Sequence, residues 1–297
     1  MKNLSPPDAF LADCRIDLRI LAEPMKKSVL FVLAVLAHHL SVAAGIPIQP
    51  VGEKVGEDGA SNCVYQISAN GIKIGYKLIG AGQPLVMIVG LGNTTDRWPQ
   101  EVVDALSKQY QLIILDNRGM GYSTANDATF TYKLFADDVI ALLDALQVGK
   151  AHVLGFSMGS TIAQELLLEY PQRVSKAVIY ATSTDGSRVA DVLKGKAPPA
   201  NSPTMQIVWR QIEATTHWKT PLDRMAKVAN QVMFLVGTAD EVVGVESSKN
   251  LAATVPGAWL AQFKNGEHGL MAQTPAAFAK TVLAFLDIDE SIPPSGR

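Results

Sequence analysis

Gly155-Phe156-Ser157-Met158-Gly159 constrains this chain more than any other stretch. An apolar run, Ala151-His152-Val153-Leu154, precedes it, and a helix-forming run from Ser160 to Glu169 follows. G-x-S-x-G between a strand and a helix demands a tight, strained turn. Glycine is needed at both ends because a Cβ there would collide with the neighbouring strand or helix. Such a turn lifts the Ser157 hydroxyl above the start of the helix. The free N–H groups and positive dipole end of a helix N-terminus suit an oxygen that gains negative charge.

Strands and helices alternate on both sides of this turn. Cys63–Ser68 and Ile72–Ile79 read as strands joined by Asn70-Gly71, a pair that tolerates the positive φ of a hairpin. Leu85–Val89 is continuously apolar, as a strand covered on both faces must be. The Gly90-Leu91-Gly92-Asn93 loop after it lacks the Lys and Ser/Thr of a phosphate cradle, so it reads as a loop that turns a backbone N–H toward a site. Trp98–Tyr110 has helical periodicity, Gln111–Leu115 is a further buried strand, and Tyr132–Gln147 is an amphipathic helix. Strands follow at Lys176–Ala181, Val232–Val236 and Trp259–Phe263, and a helix at Ala276–Leu286 closes the pattern. The alternation predicts a mostly parallel sheet with right-handed crossovers. Residues 184–226 break the rhythm and read as a small cap, with loop material at Gly195–Pro203 and one amphipathic helix, Thr204–Thr216. Trp209 on that helix, or Trp218 beside it, is a candidate wall for a substrate pocket.

A serine hydroxyl is a poor nucleophile at neutral pH and needs an adjacent base, which in turn needs an orienting acid. His268 lies in a glycine-flanked loop after the last strand, and Asp240 lies just after the strand before it. Both positions follow strand ends, where the sites of open α/β sheets gather. His152 falls inside a buried strand and reads as a core histidine, His217 lies in the cap with nothing to orient it, and His38 and His39 lie near the N-terminus. For the acid, Asp185 is the rival to Asp240, and Glu241 is one residue out of place. Asp137 and Asp138 read as charges on a helix surface.

Four stretches together carry a resemblance. They are Asp116-Asn117-Arg118-Gly119-Met120-Gly121-Tyr122-Ser123, Gly155–Gly159, Gly237–Asp240 and Gly266–Gly269. In this order they resemble the α/β-hydrolase superfamily, in its esterase, haloperoxidase-like and C–C hydrolase branch, over roughly residues 63–287. The resemblance implies an α/β-hydrolase fold with Ser157 as nucleophile, His268 as base and Asp240 as acid. It also implies an oxyanion hole made by the N–H groups of Leu91 and Met158. Val89-Gly90 stands where many members carry His-Gly, which leaves the geometry of that loop open but keeps its backbone donor. A serine at position 157 argues against the branches that use aspartate there. The expected activity is hydrolysis of small or medium carboxylic esters through an acyl-enzyme, with a small-molecule acyl substrate and no metal or organic cofactor. The same three residues would also serve a lactone, an amide, an N-terminal prolyl peptide or a C–C bond beside a ketone. A ligand receptor on a hydrolase scaffold is the reading from another class.

The 297 residues suffice for one large domain, expected over 63–290. A formal charge of −2 gives no reason to expect nucleic acid as a partner. Lys26-Lys27, the apolar run Ser28–Ala37 and Val42-Ala43-Ala44 have the form of a secretory signal peptide over 25–44, with no stable membrane insertion after cleavage. Met25 just before the lysines makes 1–24 an expected upstream over-extension. The mature chain would be periplasmic or secreted, with 45–62 as a linker. Cleavage after Ala44 would remove Cys14 and leave Cys63 alone, so no internal disulfide is expected.

Overall fold

The computed structural model describes residues 47–195 and 199–288, and the expected over-extension and signal peptide lie outside them. Nine strands form one sheet in the order β1-β2-β3-β5-β4-β6-β7-β8-β9. These are β1 Glu53–Glu57, β2 Cys63–Ala69, β3 Ile72–Ile79, β4 Gln83–Ile88, β5 Tyr110–Leu115, β6 Ala151–Phe156, β7 Val174–Tyr180, β8 Gln231–Gly237 and β9 Trp259–Phe263. The pairs from β1 to β5 are antiparallel, and every pair from β5 through β4 to β9 is parallel. This is the α/β-hydrolase fold.

The local chemistry explains the elements. Asn70 and Gly71 take φ of 46° and 72°, the left-handed region that a two-residue hairpin requires. Strands β5 and β6 are buried at every position, because helices cover both faces of the parallel sheet. One face is covered by α2 Tyr132–Ala145 and α3 Met158–Glu169, whose apolar residues pack on Val86, Ile88, Ile113 and Val153. The other face is covered by α1 Gln100–Leu106 and the last helix, Pro275–Asp287, packed on Leu85, Met87, Leu112 and Met233.

Three readings from sequence need correction. The stretch expected to be a linker carries β1, paired antiparallel with β2. Its approach is pinned too, since Ile48 N–H donates to Gln111 Oε1 and Val51 exchanges two hydrogen bonds with the Tyr76 phenol. Edge pairing needs only one bonded side, so five polar-looking residues can join a sheet without an apolar pattern. The second correction concerns the cap, which has a further helix, α4 Gly186–Lys194, where a single helix was expected. Asp185 caps it by accepting from Ser187 N–H. The helix after it, α5, spans Pro203–Thr216 and is capped by Ser202. The short α6, Leu222–Met225, follows. Thr220 N–H donates to Thr184 O and Gly186 N–H to Trp218 O, so the excursion leaves and returns at one point. Third, Asp138 is not a surface charge. It is buried and takes two hydrogen bonds from the Arg118 guanidinium, at 2.9 and 2.5 Å. Burial raises its pKa, and Arg118 and Asn70 oppose the rise.

Candidate active site

The turn after β6 has the strained form its sequence demands. Ser157 adopts φ 53° and ψ −118°, a conformation that costs free energy and persists only because its surroundings fix it. A Cβ on Gly155 would stand 2.2 Å from Gly159 O, and one on Gly159 would stand 2.2 Å from Ile88 O. Strand β6 and helix α3 therefore approach each other, and β4, more closely than any side chain permits. Ser157 N–H donates to Tyr180 O at 2.9 Å, which ties the turn to β7.

Three side chains from three strand ends meet here. His268 Nε2 lies 2.9 Å from Ser157 Oγ, and His268 Nδ1 lies 2.8 Å from Asp240 Oδ2. Asp240 is buried, and its other oxygen accepts from the N–H groups of Val242 and Val243 at 2.9 and 3.1 Å. The carboxylate is thus fixed by the loop that carries it, and one oxygen is left for the imidazole. The His268 backbone is fixed in turn, since the Tyr180 phenol donates to its carbonyl at 2.7 Å. The Phe156 ring bridges the two residues, with centroids 4.9 Å from Tyr180 and 5.1 Å from His268. An imidazole hydrogen-bonded on both nitrogens, one partner a buried carboxylate, can take a proton from the serine as it attacks.

The oxyanion donors expected from sequence also gather at Ser157. Leu91, Met158 and Ser157 line one cavity. Met158 is the first residue of α3, so its N–H has no partner within the helix. The Leu91 loop is held from two sides. Asn117 Nδ2 donates to Val89 O at 3.0 Å, and Gly92 N–H donates to Gln211 Oε1 at 2.8 Å. Gln211 belongs to α5, so the cap itself positions this loop. Val89, in the place of the histidine that many related proteins carry, is fully buried, and Asn117 holds its carbonyl instead. The Asp116–Ser123 stretch proves to be structural: Asp116 accepts from Thr95 and Tyr122 N–H, and Ser123 Oγ donates to Asp116 O.

The rival residues fall elsewhere. Asp185 caps α4 and pairs with Lys219 at 3.3 Å. Glu241 is exposed. His152 is buried on β6, with Nε2 2.9 Å from Gln83 Oε1, and desolvation drops its pKa to about 4. His217 is exposed and pairs with Glu213. The two tryptophans separate: Trp218 lines the cavity beside Ser157, whereas Trp209 packs on a cap cluster with Met120, Ala190, Val208 and Ile212. Among the described residues no group of three or more His, Cys, Asp or Glu could hold a metal ion. None of the described helices is long and apolar enough to cross a membrane.

Sequence reasoning missed the rest of the cavity. Its volume is about 20 Å³, and its walls include Val189 and Leu193 from α4 and Val243 from the loop after β8. Tyr132, Thr161 and Thr215 add hydroxyl groups. These residues are scattered over more than a hundred positions and share no local pattern that would have found them.

A family model described as alpha/beta hydrolase fold matches residues 83–199. A Mycobacterium tuberculosis protein named as a non-heme bromoperoxidase, BpoC, is 41% identical over 112 residues, which is 37% of this chain and 42% of that one. The 2-hydroxymuconate semialdehyde hydrolase of Pseudomonas sp. strain CF600 is 34% identical over 121 residues, 40% of this chain and 43% of that one. The chain thus spans less than half the length of these two curated relatives. Among solved structures, the enol-lactonase of Burkholderia xenovorans LB400 superposes with a TM-score of 0.65 at 20% identity, covering 75% of this chain and all of that one. A hydrolase from Pseudomonas aeruginosa PA01 does so with a TM-score of 0.65 at 24% identity, over 76% of this chain and 98% of that one. At these identities the structural likeness is one of fold.

Proposed function

This chain belongs to the α/β-hydrolase superfamily, and on that premise we propose that it is a serine hydrolase of small carboxylic esters. The observation that carries the reading is the unbroken chain of hydrogen bonds Ser157 Oγ–His268–Asp240, at 2.9 and 2.8 Å. Ser157 Oγ attacks the ester carbonyl as His268 Nε2 takes its proton. The N–H groups of Leu91 and Met158 receive the negative oxygen of the tetrahedral intermediate. The C–O bond to the alkoxy group breaks, His268 returns the proton to the departing alcohol, and an acyl-Ser157 ester remains. Water then attacks that ester, again losing a proton to His268, and the acid leaves as Ser157 recovers its proton. Asp240 stays ionised throughout and stabilises the imidazolium.

The site supports small substrates over medium ones. The cavity beside Ser157 is narrow, and Val189, Leu193 and Trp218 wall it closely enough to favour a short acyl group. Export is part of the same proposal and rests on the Lys26-Lys27 and Ser28–Ala37 segments of the sequence.

Fluorophosphonate labelling of the purified chain, located by peptide mass spectrometry, tests the nucleophile. The expected result is one modified residue, Ser157, with Ser157→Ala unlabelled and its turnover of 4-nitrophenyl acetate reduced by about 10⁴ to 10⁶. A folded Ser157→Ala that keeps a tenth of the wild-type rate would sink the assignment.

A further inference from the structure

The cavity beside Ser157 is walled mostly by apolar side chains, with Ser183 at one point and three further hydroxyl residues gathered at another. Tyr132 opens α2, Thr161 lies one turn into α3 and Thr215 stands near the end of α5, so three separate helices deliver them. All three line the cavity, and none is more than 5% exposed. Their protons can be followed. Thr215 Oγ1 donates to Gln211 O at 2.8 Å. It has no second proton, so the Tyr132 phenol is the donor in their 2.9 Å contact. The Thr161 hydroxyl is within reach of the phenol as well, and burial pushes the phenol up to about 12, so it stays neutral.

The cluster has thus spent the protons of Tyr132 and Thr215 inside the protein. What it offers the cavity is a set of oxygen lone pairs and the rotatable proton of Thr161. An alkyl terminus there would add no hydrogen bond to the cluster. A carboxylate would be buried with no cation in the cavity lining. A hydroxyl group, which donates and accepts at once, can donate to a lone pair of the cluster and accept from Thr161.

Resting on the hydrolase reading of Ser157, we infer that the substrates are esters of short hydroxy acids, whose acyl hydroxyl is held by Tyr132, Thr161 and Thr215. The test measures kcat/KM in a pH-stat for matched methyl esters: lactate against propionate, and 3-hydroxybutyrate against butyrate. In the wild type at least one hydroxy ester should lead its partner by about tenfold or more. In Thr161→Val and in Tyr132→Phe the lead should fall toward the ratio that alkaline hydrolysis of the same pair gives. A purely structural role for these hydroxyls would lower the melting temperature and leave the ratio where it was, so an unmoved ratio in both variants overturns the inference. So does a wild type that prefers propionate and butyrate. In either case, continued labelling of Ser157 by fluorophosphonate leaves the hydrolase reading standing. A chain that neither labels nor turns over any ester loses both.

Discussion

Replacing Asp240 by asparagine probes the orientation of His268 with least disturbance to shape. The carboxylate is buried, and its two oxygens have different duties. One accepts from the N–H groups of Val242 and Val243 at 2.9 and 3.1 Å, and the other faces His268 Nδ1 at 2.8 Å. An asparagine in this rotamer must turn its carbonyl oxygen to the two backbone donors, because an NH₂ there would set donor against donor. Its NH₂ then faces Nδ1, which is forced to accept. The imidazole proton moves to Nε2 and points at Ser157 Oγ, 2.9 Å away, where a lone pair is needed. Turnover should fall about 10⁴-fold, which is about 5.4 kcal/mol of barrier at 1.36 kcal/mol per decade. Initial rates on 4-nitrophenyl acetate measure this, with a thermal melt to show that the variant folds. Asp185→Asn is the control. Asparagine also caps helices, so that variant should stay within about twofold of wild type in rate. Asp240→Asn within tenfold of wild type, or a larger loss in Asp185→Asn, would refute the assignment of the acid.

Three further outcomes are expected. On unsubstituted 4-nitrophenyl esters kcat/KM should fall beyond propionate, and Trp218→Ala should extend the range, each methylene that enters gaining about 0.8 kcal/mol, about fourfold. That variant should also lose about 3–5 kcal/mol of stability, since the indole packs at a tilt against the Tyr132 ring and donates to Glu165; an unchanged chain-length profile would remove Trp218 from the pocket wall. His152 has a folded pKa depressed to about 4 from 6.5, chiefly by desolvation. The unfolded chain therefore binds a proton first as pH falls, and stability should drop between pH 6.5 and 4 by about 3 kcal/mol from this residue. Urea unfolding at pH 7 and pH 4.5 reads this drop, and a His152→Gln variant that keeps the full wild-type difference would assign it elsewhere. For export, N-terminal sequencing of the extracytoplasmic fraction should find a chain beginning near Gly45, and an intact Met1 on a cytoplasmic chain would overturn that proposal.

Local chemistry made much of this protein legible from its sequence. The strand–turn–helix around Ser157 follows from glycines that alone permit backbone contacts of 2.2 Å. The hairpin at Asn70-Gly71, the buried parallel strands and the loops carrying Asp240 and His268 follow from turn residues and apolar runs, which act over a few positions. The meeting of Ser157, His268 and Asp240 was readable as well, because strand ends of a parallel sheet point to one edge. Other features depended on neighbours distant in sequence. The edge strand Glu53–Glu57 is held by pairing with β2 and not by its own residues. Arg118 decides that Asp138 is buried, and helix α4 owes its place to an Asp185 cap and a closed cap base. The cavity beside Ser157 is the extreme case. Tyr132, Thr161 and Thr215 come from separate elements, and none of them carries a local signal of its place there. Turns and periodicity are short-range physics and can be read along a chain, but the size and polarity of a cavity exist only where packed elements fail to touch.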